Sequence, residues 1–421
     1  MVALNNAHTM PNLCIRGKEI ICQYAGWKMH PKEYLSSSLT FSDDWGIIMT
    51  IIFLDQSVLD VWMLVSQWWN EAIIIRVNGV AMMIKRKIGA GIFVALLAIG
   101  ISVAVVEVRK SGRWYQEVRD LYYGIPVTVR YYPENKQLTK QVWDYLESID
   151  NVFNDYKADS EISGINRLKD AGDVTLSPML ADAFDKARQA FQFSEGVFDI
   201  TCAPIRNLWK QASKQGALPS DTEVVAVRER CGLNRVELSG NRLTLSKTGL
   251  QFDFGGIVKG IIADHVVEML KAGGVKRALV QIGGETAAFG LSQKERPFRI
   301  GVQHPEDREG MWSVIQDPGT GISASTSGNY ENPIMVNGQE FYHIMDPRTG
   351  YPAKTQIVSV SIAFPQTGKN WVADAFSTTG VLLGPEKTFQ IIKPFGGEAM
   401  FLLKQDGVIR EIASPGWGKF K

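Results

Sequence analysis

Apolar residues recur along the second half of the chain at two spacings. Within 139–153, Val142, Leu146, Ile149 and Phe153 fall three or four apart and share one face of a helix. A second helix is predicted in 177–194, with Ser177 as its N-cap, Pro178 in its first turn and Gly196 ending it. "GIVKGIIADHVVEMLKAGG" (256–274) and "WVADAFSTTGVLLG" (371–384) predict two more, the first stopped at Gly273. Looser alternation of apolar and polar residues marks strands in 122–132 and 298–305, and a strand, a Gly-Gly break and another strand in 277–290. Hairpins are expected around Ser239-Gly240-Asn241 and Asp406-Gly407. "ADSEISGINRL" (158–168) and "GVFDITCAPIRNLW" (196–209) read as loops or short elements. Helices and strands mix without a regular βαβ beat, so the expectation is an α+β fold in one large intertwined domain.

The amino-terminal part has a different pattern. An uncharged apolar run, 88–106, follows Lys85, Arg86 and Lys87. It is about long enough to cross a bilayer, with its basic edge cytoplasmic. The reading is a signal anchor or transmembrane helix in 82–110, with 111–421 outside the cytoplasm; a buried core helix is the alternative. Residues 1–81 form an extension with no arguable chemistry. Its apolar stretch carries Asp55 and Asp60, and is either a poorer membrane segment or an interfacial helix. Translation from Met82 or Met83 would make "MIKRK" the start of an export signal.

With 421 residues, 45% hydrophobic and 21% charged, the chain can bury a substantial core. A net charge of +1, without a dense Lys/Arg tract, gives no support to a nucleic-acid partner. Cys14, Cys22, Cys202 and Cys231 form no CxxC pair, which argues against a zinc or iron–sulfur site.

Several segments carry groups suited to chemistry. Asp374 and Thr378, four apart on a predicted helix, offer two hard oxygen ligands of the kind magnesium takes; a capping aspartate and a core threonine would give the same spacing. Gly255 and Gly256 precede a helix start whose N–H groups can receive phosphate, with Lys259 adding a point charge. Gly283, Gly284 and Glu285 sit at a strand end where a ring or sugar can approach the backbone. "GISASTSGNYE" brings Ser325, Thr326, Ser327 and Gly328, which either hold phosphate or ribose or form a polar turn. In "EFYHIMDPRTGYPA", His343 can bond a phosphate ester, Asp346 can fix the loop, and Arg348 either faces a phosphate or pairs with an acid. Together these suggest a nucleotide site with magnesium. No GxGxxG or Walker loop is present, which disfavours a nicotinamide oxidoreductase.

The ordered set "YKADSEISGIN", "GVFDITCAPIRNLW", "DFGGIVKGIIAD", "IGGE", "STSGNYE", "YHIMDPRTGYP" and "ADAFSTTG" resembles the ApbE family of flavin transferases, from about Tyr122 to the C-terminus. The resemblance implies a bilobal α+β protein that binds FAD with Mg2+ and moves its FMN half onto a threonine of a partner protein, releasing AMP. It implies acceptors among respiratory complex subunits and, with the apolar run, a single-pass inner-membrane protein whose catalytic domain is periplasmic. Some members of the family hydrolyse FAD, and a membrane-associated FAD-binding protein is a further alternative. By the same resemblance the metal falls to Asp374, Thr378 and the backbone carbonyl near Val258. The flavin rings fall beside Tyr156, with Glu161 and Asn166 in the same region. Asp253, Lys259 and Gly283 to Glu285 match the FAD pocket, Ser325 and Thr326 the nucleotide region, and His343 the transferring phosphate. His343, Asp374 and Lys259 are the implied catalytic groups, with either a carboxylate or a histidine as the base. Asn154 stands where the family often has serine, and Val258 where alanine is common.

Overall fold

The structure, a computed structural model, describes residues 112–121, 124–328 and 333–421, together with short strands within 13–84. Those short strands belong to one unit, 1–111, and residues 112–421 form a second. The apolar run 88–106 lies outside the described residues. Among the described residues no helix is long and apolar enough to cross a membrane.

An eight-stranded antiparallel sheet organises the second unit. Its strands are β1 (Tyr115–Leu121), β2 (Ile125–Tyr132), β3 (Arg277–Ile282), β4 (Glu285–Phe289), β5 (Ile322–Gly328), β6 (Ile357–Phe364), β7 (Glu398–Gln405) and β8 (Val408–Ala413). They lie side by side in chain order. Between β2 and β3 come α1 (Lys136–Phe153), α2 (Glu161–Asn166), α3 (Pro178–Phe193), α4 (Ala203–Gln215), α5 (Asp221–Arg228) and α6 (Val258–Ala272). Between β6 and β7 come α7 (Asn370–Leu383) and α8 (Pro385–Ile392).

Strand side chains alternate between faces, and here both faces are covered. Val360, Ile362 and Phe364 of β6 join the core with Val258, Ile261, Val372 and Phe376 of α6 and α7. Ala363, one position over, joins Ile322, Ala324, Met400 and Leu402 in a second core, which Phe298, Trp417 and Phe420 complete. Strands covered on both faces lose the polar half of the alternation. In β6, whose sequence is IVSVSIAF, the large residues Val360, Ile362 and Phe364 therefore alternate with small buried ones, Ser359, Ser361 and Ala363, rather than with exposed polar residues.

The four helices expected from the sequence are α1, α3, α6 and α7. Ser177 caps α3 by accepting from the Leu180 N–H, with Pro178 in the first turn. α6 ends at Gly273, and the left-handed residue is the next one, Gly274, at φ +80°. The hairpin turns fall at Gly240-Asn241 and Asp406-Gly407. Two segments differ from expectation. "GVFDITCAPIRNLW" is not mainly loop: it runs into the 13-residue helix α4, which buries Ile205, Trp209 and Ala212 on one face. "GISASTSG" is not a turn but a central strand, β5, between β4 and β6.

Candidate active site

Two close approaches build the centre of the site. Gly283 and Gly284 form the two-residue turn of the β3–β4 hairpin, since Ile282 pairs with Glu285. Gly283 has φ +57°, and a Cβ on Gly284 would sit 2.6 Å from the Thr326 carbonyl oxygen. Helix α6 meets the start of α7 at Gly260, where a Cβ would fall 2.3 Å from the Asn370 carbonyl oxygen. Only glycine allows that contact, and the contact places Asp374 against α6.

Asp374 is fully buried, and both its oxygens are engaged. Oδ1 lies 2.9 Å from the Lys259 ammonium, and Oδ2 accepts from the Gly260 N–H at 3.0 Å. Lys259 also donates to the Gly255 carbonyl at 3.1 Å and lies 3.9 Å from Glu285 Oε1. Glu285 is buried, with Oε2 lacking a hydrogen-bond partner. Burial pushes its carboxyl well above the usual range; Asp374 adds to that rise and Lys259 partly offsets it.

Thr378 follows Asp374 by one helical turn and remains partly exposed. Its Oγ1 is 3.3 Å from Ser327 Oγ. Alternation along β5 turns Ser323, Ser325 and Ser327 toward α7 and the residue before it. Ser323 accepts from the Lys369 N–H, while Ser325 and Ser327 both reach Ser377. Thr326 does not join them: its hydroxyl bonds Ser361 on β6, 2.9 Å away. The backbone of Thr326 still closes over the glycine turn, its N–H donating to the Gly284 carbonyl at 3.2 Å.

A second group of residues lines an open cavity. Tyr156 is 61% exposed, with the Lys210 ammonium 4.6 Å from its ring centroid. Asn154, the C-cap of α1, accepts from the N–H groups of Tyr156 and Lys157 and so fixes the turn that presents the ring. Arg206 bridges Asp155 and Asp253. Burial works against its charge, but the two carboxylates outweigh it and its pKa rises. Asp253 Oδ1 in turn accepts from the Gly255 N–H at 2.8 Å. Contacts therefore run from Tyr156 through Arg206, Asp253, Gly255 and Lys259 to Asp374. The cavity, about 240 Å³, is lined by Tyr156, Asn166, Arg167, Arg206, Asn207 and Gln251.

Asn166 and Glu161 hold the frame. The Asn166 amide exchanges two hydrogen bonds with the Phe252 backbone, at 2.7 and 3.0 Å. Glu161 accepts from the Ser177 N–H and ties α2 to the start of α3. Phe252 and Phe254, on either side of Asp253, pack edge-on against Phe184 at 4.9 and 5.1 Å. Each such ring pair adds about 0.5–1.5 kcal/mol beyond area burial.

His343 comes from the 340–353 loop, which docks on α4 and α5. The Gly350 carbonyl accepts from Trp209 Nε1 at 3.0 Å, and Tyr351 bonds Asp221. Arg348 pairs with an acid, forming a two-pronged bond to Asp346 within the loop. His343 Nδ1 is buried without a partner. Burial, helped by the Lys259 charge, lowers its pKa, so the ring is a neutral proton acceptor at pH 7.

Asp264, at the end of the "DFGGIVKGIIAD" stretch, is a structural part of the site. Its two oxygens accept from the N–H groups of Asn370 and Trp371, both at 3.0 Å. One helix thus caps the other, and Asn370 adds bonds to the Thr286 and Ala324 carbonyls. Asp374 stands one turn beyond this anchor. Burial pushes the Asp264 carboxyl up to about 6.

The donor set fits a hard divalent cation. A carboxylate and a hydroxyl lie one turn apart, the Val258 carbonyl opens α6, and Glu285 Oε2 is a buried oxygen without a partner. In the structure the Lys259 ammonium neutralises Asp374, so a cation there would share or displace that contact.

The ApbE family model matches residues 123–401. The chain is 28% identical over 291 residues to the FAD:protein FMN transferase of Escherichia coli K12, covering 68% of this chain and 82% of that protein. It is 29% identical over 284 residues to the FAD:protein FMN transferase of Treponema pallidum, covering 62% and 76%. Among solved structures, a variant of the flavin transferase ApbE from Vibrio cholerae superposes with a TM-score of 0.64 at 25% identity, covering 74% of this chain and all of that one. The apo flavinyl transferase ApbE of Pseudomonas stutzeri gives 0.62 at 27% identity, over 72% and 97%. With the family model matching residues 123–401 and the fold shared over 74% of the chain, this chain belongs to the ApbE family.

Proposed function

We propose that the chain is a Mg2+-dependent FAD:protein FMN transferase that attaches FMN through a phosphodiester bond to a threonine of a partner protein. The observation that carries this is the buried Asp374, held by Lys259 and Gly260 one turn before the partly exposed Thr378, with Lys259 running past the glycine turn and its charge reaching His343. Relatives named for this activity cover most of the chain and support the same reading.

The threonine oxygen attacks the FMN phosphorus, a new P–O bond forms, the bond to the AMP oxygen breaks, and AMP leaves. Bound through Asp374, Thr378 and the Val258 carbonyl, Mg2+ would neutralise charge on the diphosphate as that bond breaks. Lys259 holds a positive charge in the same place, and the Gly283–Gly284 turn lets backbone approach the ligand. Tyr156, with Arg206 beneath the loop that carries it, offers an aromatic face to the flavin. His343, neutral and with Nδ1 unpartnered, is suited to take the threonine proton. The basic-edged apolar run 88–106 supports a membrane-anchored enzyme acting outside the cytoplasm, where respiratory complex subunits are the expected acceptors.

Incubation of the full chain with FAD, Mg2+ and a threonine-containing acceptor tests this. The expected result is AMP with flavin fluorescence on the denatured acceptor. AMP with free FMN means a hydrolase, and intact FAD means a binding protein.

A further inference from the structure

A chain of hydroxyls runs through the wall between β5 and α7. Ser325 Oγ donates to Glu285 Oε1 at 2.9 Å. Ser325 and Ser377 are 2.8 Å apart, Ser377 and Ser327 2.8 Å, and Ser327 and Thr378 3.3 Å. Ser325 and Ser377 are buried, and Ser327 and Thr378 lie nearer the surface.

Counting hydrogens fixes a direction. Each hydroxyl has one hydrogen and two lone pairs. Ser325 uses its hydrogen on Glu285, so its contact with Ser377 needs the Ser377 hydrogen. The Ser377–Ser327 contact then needs the Ser327 hydrogen, and the last contact needs that of Thr378. Ser377 also lies 3.1 Å from the Asp374 carbonyl, which only accepts and can share that one hydrogen. The result is a one-way chain, Thr378 to Ser327 to Ser377 to Ser325 to Glu285. This direction holds with Glu285 ionised, and with its carboxyl protonated on Oε2, where Oε1 still accepts from Ser325.

We propose that this hydroxyl chain positions Thr378 for metal binding, with Ser377 as the positioning residue at its centre. Drawing the Thr378 hydrogen inward leaves the lone pairs of its oxygen for a cation and stops the hydroxyl from turning its hydrogen toward one. Partners of this outer kind change metal affinity by about 10–100-fold in other sites. The inference rests on the proposal that Mg2+ binds Asp374 and Thr378.

The test is calorimetric titration of Mg2+ into the FAD-loaded full chain, for wild type, Ser377→Ala, Thr378→Ala and the double variant. Ser377→Ala is expected to weaken Mg2+ about tenfold, with its unfolding midpoint close to that of wild type. In the Thr378→Ala background the same change should have little further effect, because the chain acts only through Thr378. Ser327→Ala, which cuts the chain one link nearer Thr378 at a less buried position, should match Ser377→Ala. Ser359→Ala is the control: it removes a buried hydroxyl without a partner and should leave Mg2+ binding unchanged. Wild-type affinity in both Ser377→Ala and Ser327→Ala, or an equal loss with and without Thr378, would overturn the positioning role and leave the metal site standing. A wild-type chain that takes up no Mg2+ would overturn the metal site and this inference together.

Discussion

Asp374 is wholly buried, and each of its oxygens has a partner on α6. Tyr156 is 61% exposed and belongs to the lining of an open cavity. The two belong to one connected site, yet they are held in different ways. Around Asp374 the backbone itself is constrained: Gly260 admits no Cβ, Asp264 caps α7 from α6, and β5 supplies a serine stripe. Around Tyr156 the fixing groups are side chains, namely Asn154 beneath the turn and Arg206 between two carboxylates. A charge at a reacting phosphate needs fixed geometry, because misplacement weakens every electrostatic contact there. A surface that receives a large flat ligand needs room more than exactness.

If this contrast is correct, substitutions should have effects that shrink from the buried half to the open half. Asp374→Ala removes the central carboxylate. Transfer assayed with Mg2+ present should fall by more than the ~100-fold that marks the loss of an outer partner, while circular dichroism shows a folded chain. Gly260→Ala presses a methyl into the α7 backbone. It should cost at least the ~1–3 kcal/mol of an overpacked core, read by urea unfolding, and should also reduce transfer by displacing Asp374.

Asp264→Ala strips the cap from α7, a loss of ~1–2 kcal/mol. Its pH dependence has a defined sign. The folded pKa of about 6 lies above the unfolded value near 4, so the folded state holds this proton more tightly. The contribution of the group is complete below about pH 4 and declines as pH rises through about 6. The deficit of the Ala variant should therefore narrow between pH 4 and pH 7, as measured by unfolding at each pH. Tyr156→Ala should be mildest, raising the KM for FAD by about tenfold or less, the equivalent of one ring contact, with kcat little changed and Tyr156→Phe restoring most of it.

Much of this was legible in the sequence, and the gaps have physical causes. α1 is legible in its three- and four-residue spacing because it buries one face, α3 in its Ser177 cap and Pro178, and α6 in its glycine stop, while α7 is buried nearly all round and shows only as an apolar run. α4 has the same signal as α1 in Ile205, Trp209 and Ala212, with Pro204 at its start and Gly216 at its end, but the polar Asp199 and Thr201 just before it read as a loop. α5 was announced by a capping box, Ser220 with Glu223, that went unread. β5 reads as a polar turn because its alternating serines face other polar groups rather than solvent. Asp374, Thr378 and Lys259 could be chosen by residue type and spacing, and the family resemblance strengthened the choice. The role of Asp264 could not, since its partners lie 106 and 107 residues away. Thr326 neighbours Ser325 in sequence, but alternation puts its side chain on the other face of β5, against Ser361, which adjacency in sequence does not reveal.

The most direct test of the central claim is anomalous diffraction from crystals of the full chain grown with FAD and Mn2+ in place of Mg2+. The account predicts one strong peak within coordination distance of Asp374 and Thr378, with the FAD diphosphate beside it. Ordered FAD whose diphosphate lies away from both residues, with no peak between them, would contradict it.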